Sequence, residues 1–355
     1  VLALSNGTQS VTSLKKGEHG LIAMEKTPFY AEGGGQVGDQ GIIQTKTGKA
    51  SVENCTKHND IFLHHIVVTE GEINNQGHAQ LTVSDSERRA TAIHHSATHL
   101  LHSALRKVLG THVTQAGQMV DPHRLRFDFT HGKALTSTEL QQIEKLIDTE
   151  IQKAITVQSQ VMSHSEALKT GAMALFGEKY GDQVRVLSMG DFSTELCGGT
   201  HIHNTAQIRV FKIVSESGVS SGVRRIEALA GEPAYHLLLN GYQDFSEARK
   251  TAGLDLSWEK IIDQKFESTA HFIETKKTEI KNLEKEIKKI QGGQINLDEL
   301  IASAKTFTSA GQKAQMIFAD LKLDDREVLA DIADKLKNKI SSGVVVIVGQ
   351  GQDSH

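Results

Sequence analysis

Two pairs of side chains in this 355-residue sequence have types and spacing that suit a metal ion. His95 and His99 stand four apart in a helical pattern, so both imidazoles project from one face, a turn from each other. Cys197 and His201 repeat that spacing in Glu195-Leu-Cys-Gly-Gly-Thr-His201, where two glycines let the backbone fold tightly around an ion. Three imidazoles and one thiolate make a nitrogen–sulfur set of four, as tetrahedral Zn²⁺ prefers. Either pair alone is a weak signal; the two within one mixed segment predict a single zinc centre assembled from distant stretches. His94, His102 and His203 lie nearby and are not counted as ligands, His94 because it turns toward the apolar side of the helix. His-Ser-Ala-Thr-His lacks the glutamate of His-Glu-x-x-His, so a zinc protease's general base is missing. The Cys–His pair also differs from the Pro-Cys-x-x-Cys of a zinc deaminase. A zinc with four protein ligands holds structure, whereas one that opens a position polarises an ester or orients a substrate.

The elements that must position these groups are legible as pattern. Residues 1–83 hold short apolar runs punctuated by Gly, Asn and Asp, which predicts a small β-barrel. Within it, Gly34-Gly35-Gln36 reads as a structural turn. Ser84-Asp-Ser-Glu87 has the form of a capping box opening a helix that Gly110 closes. Ile93, Ala97, Leu100, Leu101, Ala104, Leu105 and Val108 make its apolar stripe, with His95 and His99 roughly opposite. A second capped helix starts at Thr136-x-x-Glu139 and carries Leu140, Ile143, Ile147 and Ile151. Strands follow near 155–162, 183–189, 207–216 and 222–230, which makes 84–240 an α+β domain. Over 258–291, Phe266, Ile273, Ile280 and Ile287 recur every seven residues, with Ile262, Leu283 and Ile290 on the second seam position. This predicts a helical or coiled-coil arm over 241–293. The remainder, 294–355, reads as β-α-β: a strand at Gln315–Ala319, a helix over Glu327–Ile340 and a strand at Gly343–Val348.

Composition narrows the function classes. Lys+Arg number 39 against 43 Asp+Glu, a net charge of −4, so a histone-like or tail-driven nucleic-acid binder is excluded, although a local basic patch is not. No apolar run approaches the ~20 residues of a membrane helix. Two cysteines cannot build a disulfide framework, and a reducing, cytoplasmic setting is the expectation. The sequence starts at Val1 and stops just beyond a strand-like run, which reads as a fragment of a longer protein.

Several motifs in order resemble the alanyl-tRNA synthetase family. They are Arg89-Ala-Thr-Ala-Ile-His-His-Ser-Ala-Thr-His-Leu-Leu-His102, Thr111-His-Val-Thr-Gln-Ala-Gly117, Arg126-Phe-Asp-Phe129, Ala174-Leu-Phe-Gly-Glu-Lys-Tyr-Gly-Asp182, Glu195-Leu-Cys-Gly-Gly-Thr-His201 and Ser221-Gly-Val-Arg-Arg-Ile-Glu-Ala228. The resemblance spans essentially the whole chain. It implies a barrel, then an editing domain, a helical arm and the start of a truncated C-terminal domain that contacts tRNA and aids homodimerisation in the full-length parent. It also implies one Zn²⁺ on His95, His99, Cys197 and His201. Thr98 and Gln115 fall on positions that shape the family's editing pocket, and Arg224 and Arg225 would hold phosphates of the tRNA(Ala) acceptor end. Asp128 is left without a catalytic role. The family's catalytic core, with its ATP, Mg²⁺ and alanine sites, has no counterpart here, so alanine ligation is not expected. The implied reaction is hydrolysis of mischarged Ser-tRNA(Ala) and Gly-tRNA(Ala). An alanine pocket rejects glycine by only one methyl group and an added hydroxyl poorly, so discrimination calls for a second, hydrolytic site. The alternative is an inactive tRNA-binding or dimerisation fragment whose zinc only holds the fold.

Overall fold

The computed structural model describes residues 1–173, 181–251, 269–293, 295–309, 311–323 and 325–350. They fall into two compact units, Val1–Ala252 and Gly253–His355. The motif segment 174–180 and the seam positions Ile262 and Phe266 lie outside the described residues.

The first unit begins with seven strands, five short and two long: β1 (Ala3–Ser5), β2 (Ser13–Lys15), β3 (His19–Ala23), β4 (Gly41–Gln44), β5 (Gly48–His58), β6 (Ile61–Asn74) and β7 (Gln80–Val83). They pair antiparallel in the order β1-β3-β6-β5-β4-β7, with β2 on β6. Alternate residues such as Ile43, Val52, Ile66 and Val68 fill one core, as the period of two requires. Among the described residues no ladder joins β1 to β7, so the expected barrel stands here as an antiparallel sheet on a single core.

Helix α1 (Asp85–Leu109) carries the first ligand pair. It starts at Ser84, but the expected capping box is absent. The Ser84 hydroxyl faces Ser86 Oγ at 3.3 Å, and its backbone N–H donates to Gln40 O, leaving none for Glu87 to accept. Its apolar stripe packs with Phe127, Phe129, Ile143, Ile147 and Ile226 in the main core. The opposite face is buried as well: every residue from His94 to Leu105 is. A solvated histidine pair is therefore ruled out; the polar face has its own cover.

On that face His99 and His102 meet Glu195, and His95 meets Gln36 and Cys197; the rest of the unit is a mixed α/β arrangement. Strands β8 (Gln115–Val120) and β9 (Leu125–Thr130) join β13 (Phe211–Ser220) and β14 (Val223–Ala230) in the order β13-β14-β9-β8. Helix α2 (Ser137–Gln152) opens with a complete capping box: Thr136 Oγ1 accepts from Glu139 N, and Thr136 N donates to Glu139 Oε2. Strand β10 (Val157–Ser163), helix α3 (His164–Lys169), β11 (Gln183–Met189) and β12 (Ser193–Leu196) follow, with a three-stranded sheet β10-β11-β12. Helix α4 (Glu232–Thr251) closes the unit and runs through residue 240.

The second unit holds α5 (Thr269–Gly293), α6 (Leu297–Ala302), β15 (Lys305–Ser309), β16 (Gln312–Leu321), α7 (Arg326–Lys337) and β17 (Gly343–Gly349). Strands β16 and β17 are parallel across α7, the expected β-α-β, and β15 adds an antiparallel edge. Ile317, Val328, Ile332 and Leu336 form its core. On α5 the seam residues Ile280, Leu283, Ile287 and Ile290 are exposed.

Candidate metal centre

Helix α1 and the turn after β12 bring the two predicted pairs together. Ligating atoms of His95, His99, Cys197 and His201 all lie within 4.8 Å of one another. Cys197 Sγ is 3.4 Å from His95 Nε2 and 3.2 Å from His201 Nε2. Tetrahedral zinc, with Zn–S about 2.3 Å and Zn–N about 2.0 Å, sets its sulfur and nitrogen donors roughly 3.5 Å apart. The donor set and its spacing therefore fit that ion. His99 Nε2 is buried with no hydrogen-bond partner among the described residues, an orphan atom that an ion in the cluster would satisfy.

Each imidazole is oriented from behind through Nδ1. His95 Nδ1–H donates to Gln36 Oε1 at 2.7 Å. His99 Nδ1–H donates to Glu195 Oε2 at 2.8 Å, and His102 Nδ1–H to Glu195 Oε1 at 3.1 Å. His201 Nδ1 lies 3.1 Å from Ser96 Oγ. An outer partner on one ring nitrogen leaves the other to face a metal.

The side chains also set one another's charge. Burial pushes the Cys197 thiol up, but the charges of His95 and His99 and the hydrogen bonds from His201 and His95 outweigh it and hold it well below the ordinary thiol range. Burial likewise opposes the Glu195 carboxylate, yet His99 and His102 keep it ionised. Burial, then the neighbouring His95, depresses His201 and leaves it neutral. Burial would lower His99 too, but Glu195 and Cys197 raise it. A thiolate and a neutral imidazole are the forms that bind metals.

The remaining predicted residues are placed as follows. Thr98, ~60° around the helix from His95, is buried and donates its hydroxyl hydrogen to His94 O at 2.8 Å. Gln115 opens β8 at a bulge and is half-buried. Arg224 Nε donates to Glu216 Oε1 at 2.6 Å. Arg225 grips Asp128 with two bonds of 2.7 and 2.9 Å. Asp128, unassigned from sequence, is thus the anchor of Arg225. His94 is structural as expected: its Nδ1–H donates to Ala90 O and its Nε2 accepts from Ala230 N. Sequence reasoning missed Glu195 and Gln36. Glu195 stood inside the quoted ligand motif, two residues before Cys197, and that placement was the available signal. For Gln36 the only sign was a polar side chain in a turn built of glycines.

A model described as "Threonyl and Alanyl tRNA synthetase second additional domain" matches residues 184–227, the stretch holding Cys197 and His201. One described as "tRNA synthetases class II (A)" matches residues 1–88, the N-terminal sheet and the start of α1. An alanine--tRNA ligase of Bdellovibrio bacteriovorus is 53% identical over 361 residues, covering 100% of this chain and 40% of the relative. The chain belongs to the alanyl-tRNA synthetase family. Alanine--tRNA ligases of Acetivibrio thermocellus and Methylococcus capsulatus are each 42% identical, over 350 and 354 residues. These alignments take in 98% of this chain and 38% and 39% of the relatives. The chain thus spans about two fifths of the length of the curated family members it matches. No helix among the described residues is long and apolar enough to cross a membrane.

Proposed function

We propose that this chain carries the editing activity of the family: hydrolysis of the aminoacyl ester of Ser-tRNA(Ala) and Gly-tRNA(Ala), dependent on one Zn²⁺. The single observation that carries the reading is the convergence of His95, His99, Cys197 and His201, three of them turned by an outer partner so that Nε2 faces inward. Zinc bound there supplies a Lewis acid able to polarise an ester or orient a substrate group. The protein's own residues do the rest. Glu195 and Gln36 fix the rings of His99 and His95. Thr98 has committed its hydrogen to His94 O, so its oxygen presents lone pairs that accept from a substrate hydroxyl, as on a serine. Gln115 lies in the same α+β layer with no hydrogen bond from its side chain among the described residues, and so keeps amide donors and an acceptor for the substrate. Arg224 and Arg225 offer the guanidinium N–H groups not taken by Glu216 and Asp128 to acceptor-end phosphates. Binding of tRNA(Ala), association of two copies through the C-terminal region, and a cytoplasmic setting belong to the same proposal.

A second reading rests on one specific observation: four protein ligands already fill a tetrahedral shell, as in a structural zinc site. The deciding experiment is release of serine from Ser-tRNA(Ala) at saturating RNA, before and after zinc is stripped with a chelator. Loss of hydrolysis with intact circular dichroism and intact tRNA binding supports editing. Hydrolysis absent from the zinc-loaded chain under the same conditions supports the structural reading. Cys197→Ala should abolish the hydrolysis and lower the zinc content together.

A further inference from the structure

Gln36 belongs to the N-terminal sheet unit, yet its side chain ends at the metal centre. It sits in a turn closed by Gly33 N→Gln36 O at 3.1 Å and Gln36 N→Gly33 O at 3.0 Å. Gly34 and Gly35 adopt positive φ of 58° and 80°, which L side chains rarely tolerate. A Cβ on Gly35 would come within 2.4 Å of Gln118 O, so the turn lies hard against β8. Val120 N→Gly35 O at 2.8 Å and Val37 N→Val120 O at 3.1 Å stitch it there.

From this anchored turn Gln36 reaches inward, 1% exposed. Its Oε1 accepts from both His95 Nδ1–H at 2.7 Å and Thr200 N–H at 2.9 Å, and its Nε2 donates to Thr200 Oγ1 at 2.9 Å. One amide therefore ties a ligand of the first pair to the turn that holds the second. Gly199 makes room for the junction: a Cβ there would lie 2.4 Å from His95 Nδ1 and 2.7 Å from Gln36 Oε1. None of these contacts is needed to close the sheet's own core, whose members lie elsewhere.

We propose that Gln36 is a positioning residue for the metal centre, so that the N-terminal sheet sets the ion affinity of a site whose four ligands all lie outside it. Gln36 dictates which nitrogen of His95 carries the proton, which leaves Nε2 to face Cys197 Sγ, and it fixes the Cys-Gly-Gly-Thr-His turn against helix α1. The inference rests on the zinc reading above, and its test does not depend on hydrolysis.

The experiment uses the full chain. Zinc affinity is measured by competition with a chromophoric chelator, and site geometry by the visible spectrum of the Co²⁺-loaded protein. Gln36→Ala should weaken zinc binding about 10–100-fold and alter the Co²⁺ bands, the usual cost of losing an outer partner of a metal-bound histidine. Gln36→Glu, which keeps an oxygen acceptor for His95 and Thr200, should restore most of the affinity. Gly35→Ala, which touches no ligand but drives the turn off Gln118, should weaken binding in the same direction. If Gln36→Ala fails to fold, Gln36→Met fills a similar volume without donor or acceptor and gives the same readout. Zinc affinity within about twofold of wild type in the folded variant, with unchanged Co²⁺ bands, overturns the inference alone. Failure of the wild-type chain to take up zinc overturns it together with the proposed function.

Discussion

The protein has two cysteines, both buried, with opposite electrostatics. In the N-terminal sheet, burial and then the nearby Asp39 charge push the Cys55 thiol up to about 11. At the metal centre, burial acts the same way on Cys197 but the surrounding histidines reverse the outcome. Only a thiolate attacks an alkylating agent. In chelator at pH 8, iodoacetamide should modify Cys197 well before Cys55, and added zinc should suppress the Cys197 reaction; peptide mass spectrometry reads both. Equal labelling of the two would contradict the charge arrangement described. Glu195 gives a second test at this scale. Glu195→Gln offers one carbonyl oxygen where two imidazole N–H groups now donate, and should weaken zinc binding about 10–100-fold. His95, His99, Cys197 and His201 were legible as two pairs because each spacing is local, and the structure brings the pairs together. Gln36 and Glu195 were not assigned a role, because their partners lie 59 and 96 residues away and a lone amide or carboxylate carries no periodicity.

Elements were legible where pattern and local chemistry agree, and less so where a neighbour intervenes. Two segments share the Ser/Thr-x-x-Glu spelling of a helix start, yet only Thr136–Glu139 forms the reciprocal bonds. At Ser84 a tertiary contact, the donation of its N–H to Gln40 O, removes the group that Glu87 needed. Thr136→Ala should therefore lower stability by about 1 kcal/mol. Ser84→Ala should change it by no more than a few tenths of a kcal/mol, the usual range for surface changes that break no cap. Urea unfolding midpoints compare the two directly; equal losses would refute the distinction. The β-α-β of the second unit was readable from one uninterrupted apolar run and one amphipathic stripe. Its antiparallel edge β15 was not, since Lys305–Ser309 alternates too weakly to announce a strand.

At the scale of the whole molecule, stability should carry an acid limb set by buried neutral histidine. His94 is 0% exposed, and burial, partly offset by Asp121 and Ala90, holds it down at about 4 against 6.5 for a free imidazole. Between those values the unfolded chain binds the extra proton and the folded chain does not. Stability is therefore full above about pH 6.5 and falls as pH drops toward 4, by about 3 kcal/mol in total from this group. Urea titrations in chelator from pH 7.5 to 4.5 should show that slope, and His94→Asn should lessen it without removing it, because burial holds His201 neutral as well. An unchanged slope would remove His94 as a contributor. The joining of the N-terminal sheet to the metal centre was not legible in the sequence, because that contact is purely tertiary. The separation of the two ligand pairs has a consequence for synthesis. His95 leaves the ribosome 102 residues before Cys197. At about 5–20 residues per second, the nascent helix waits roughly 5–20 s with half a chelate. During that interval it can hold an ion only loosely, and the cage snaps shut once the glycine turn arrives.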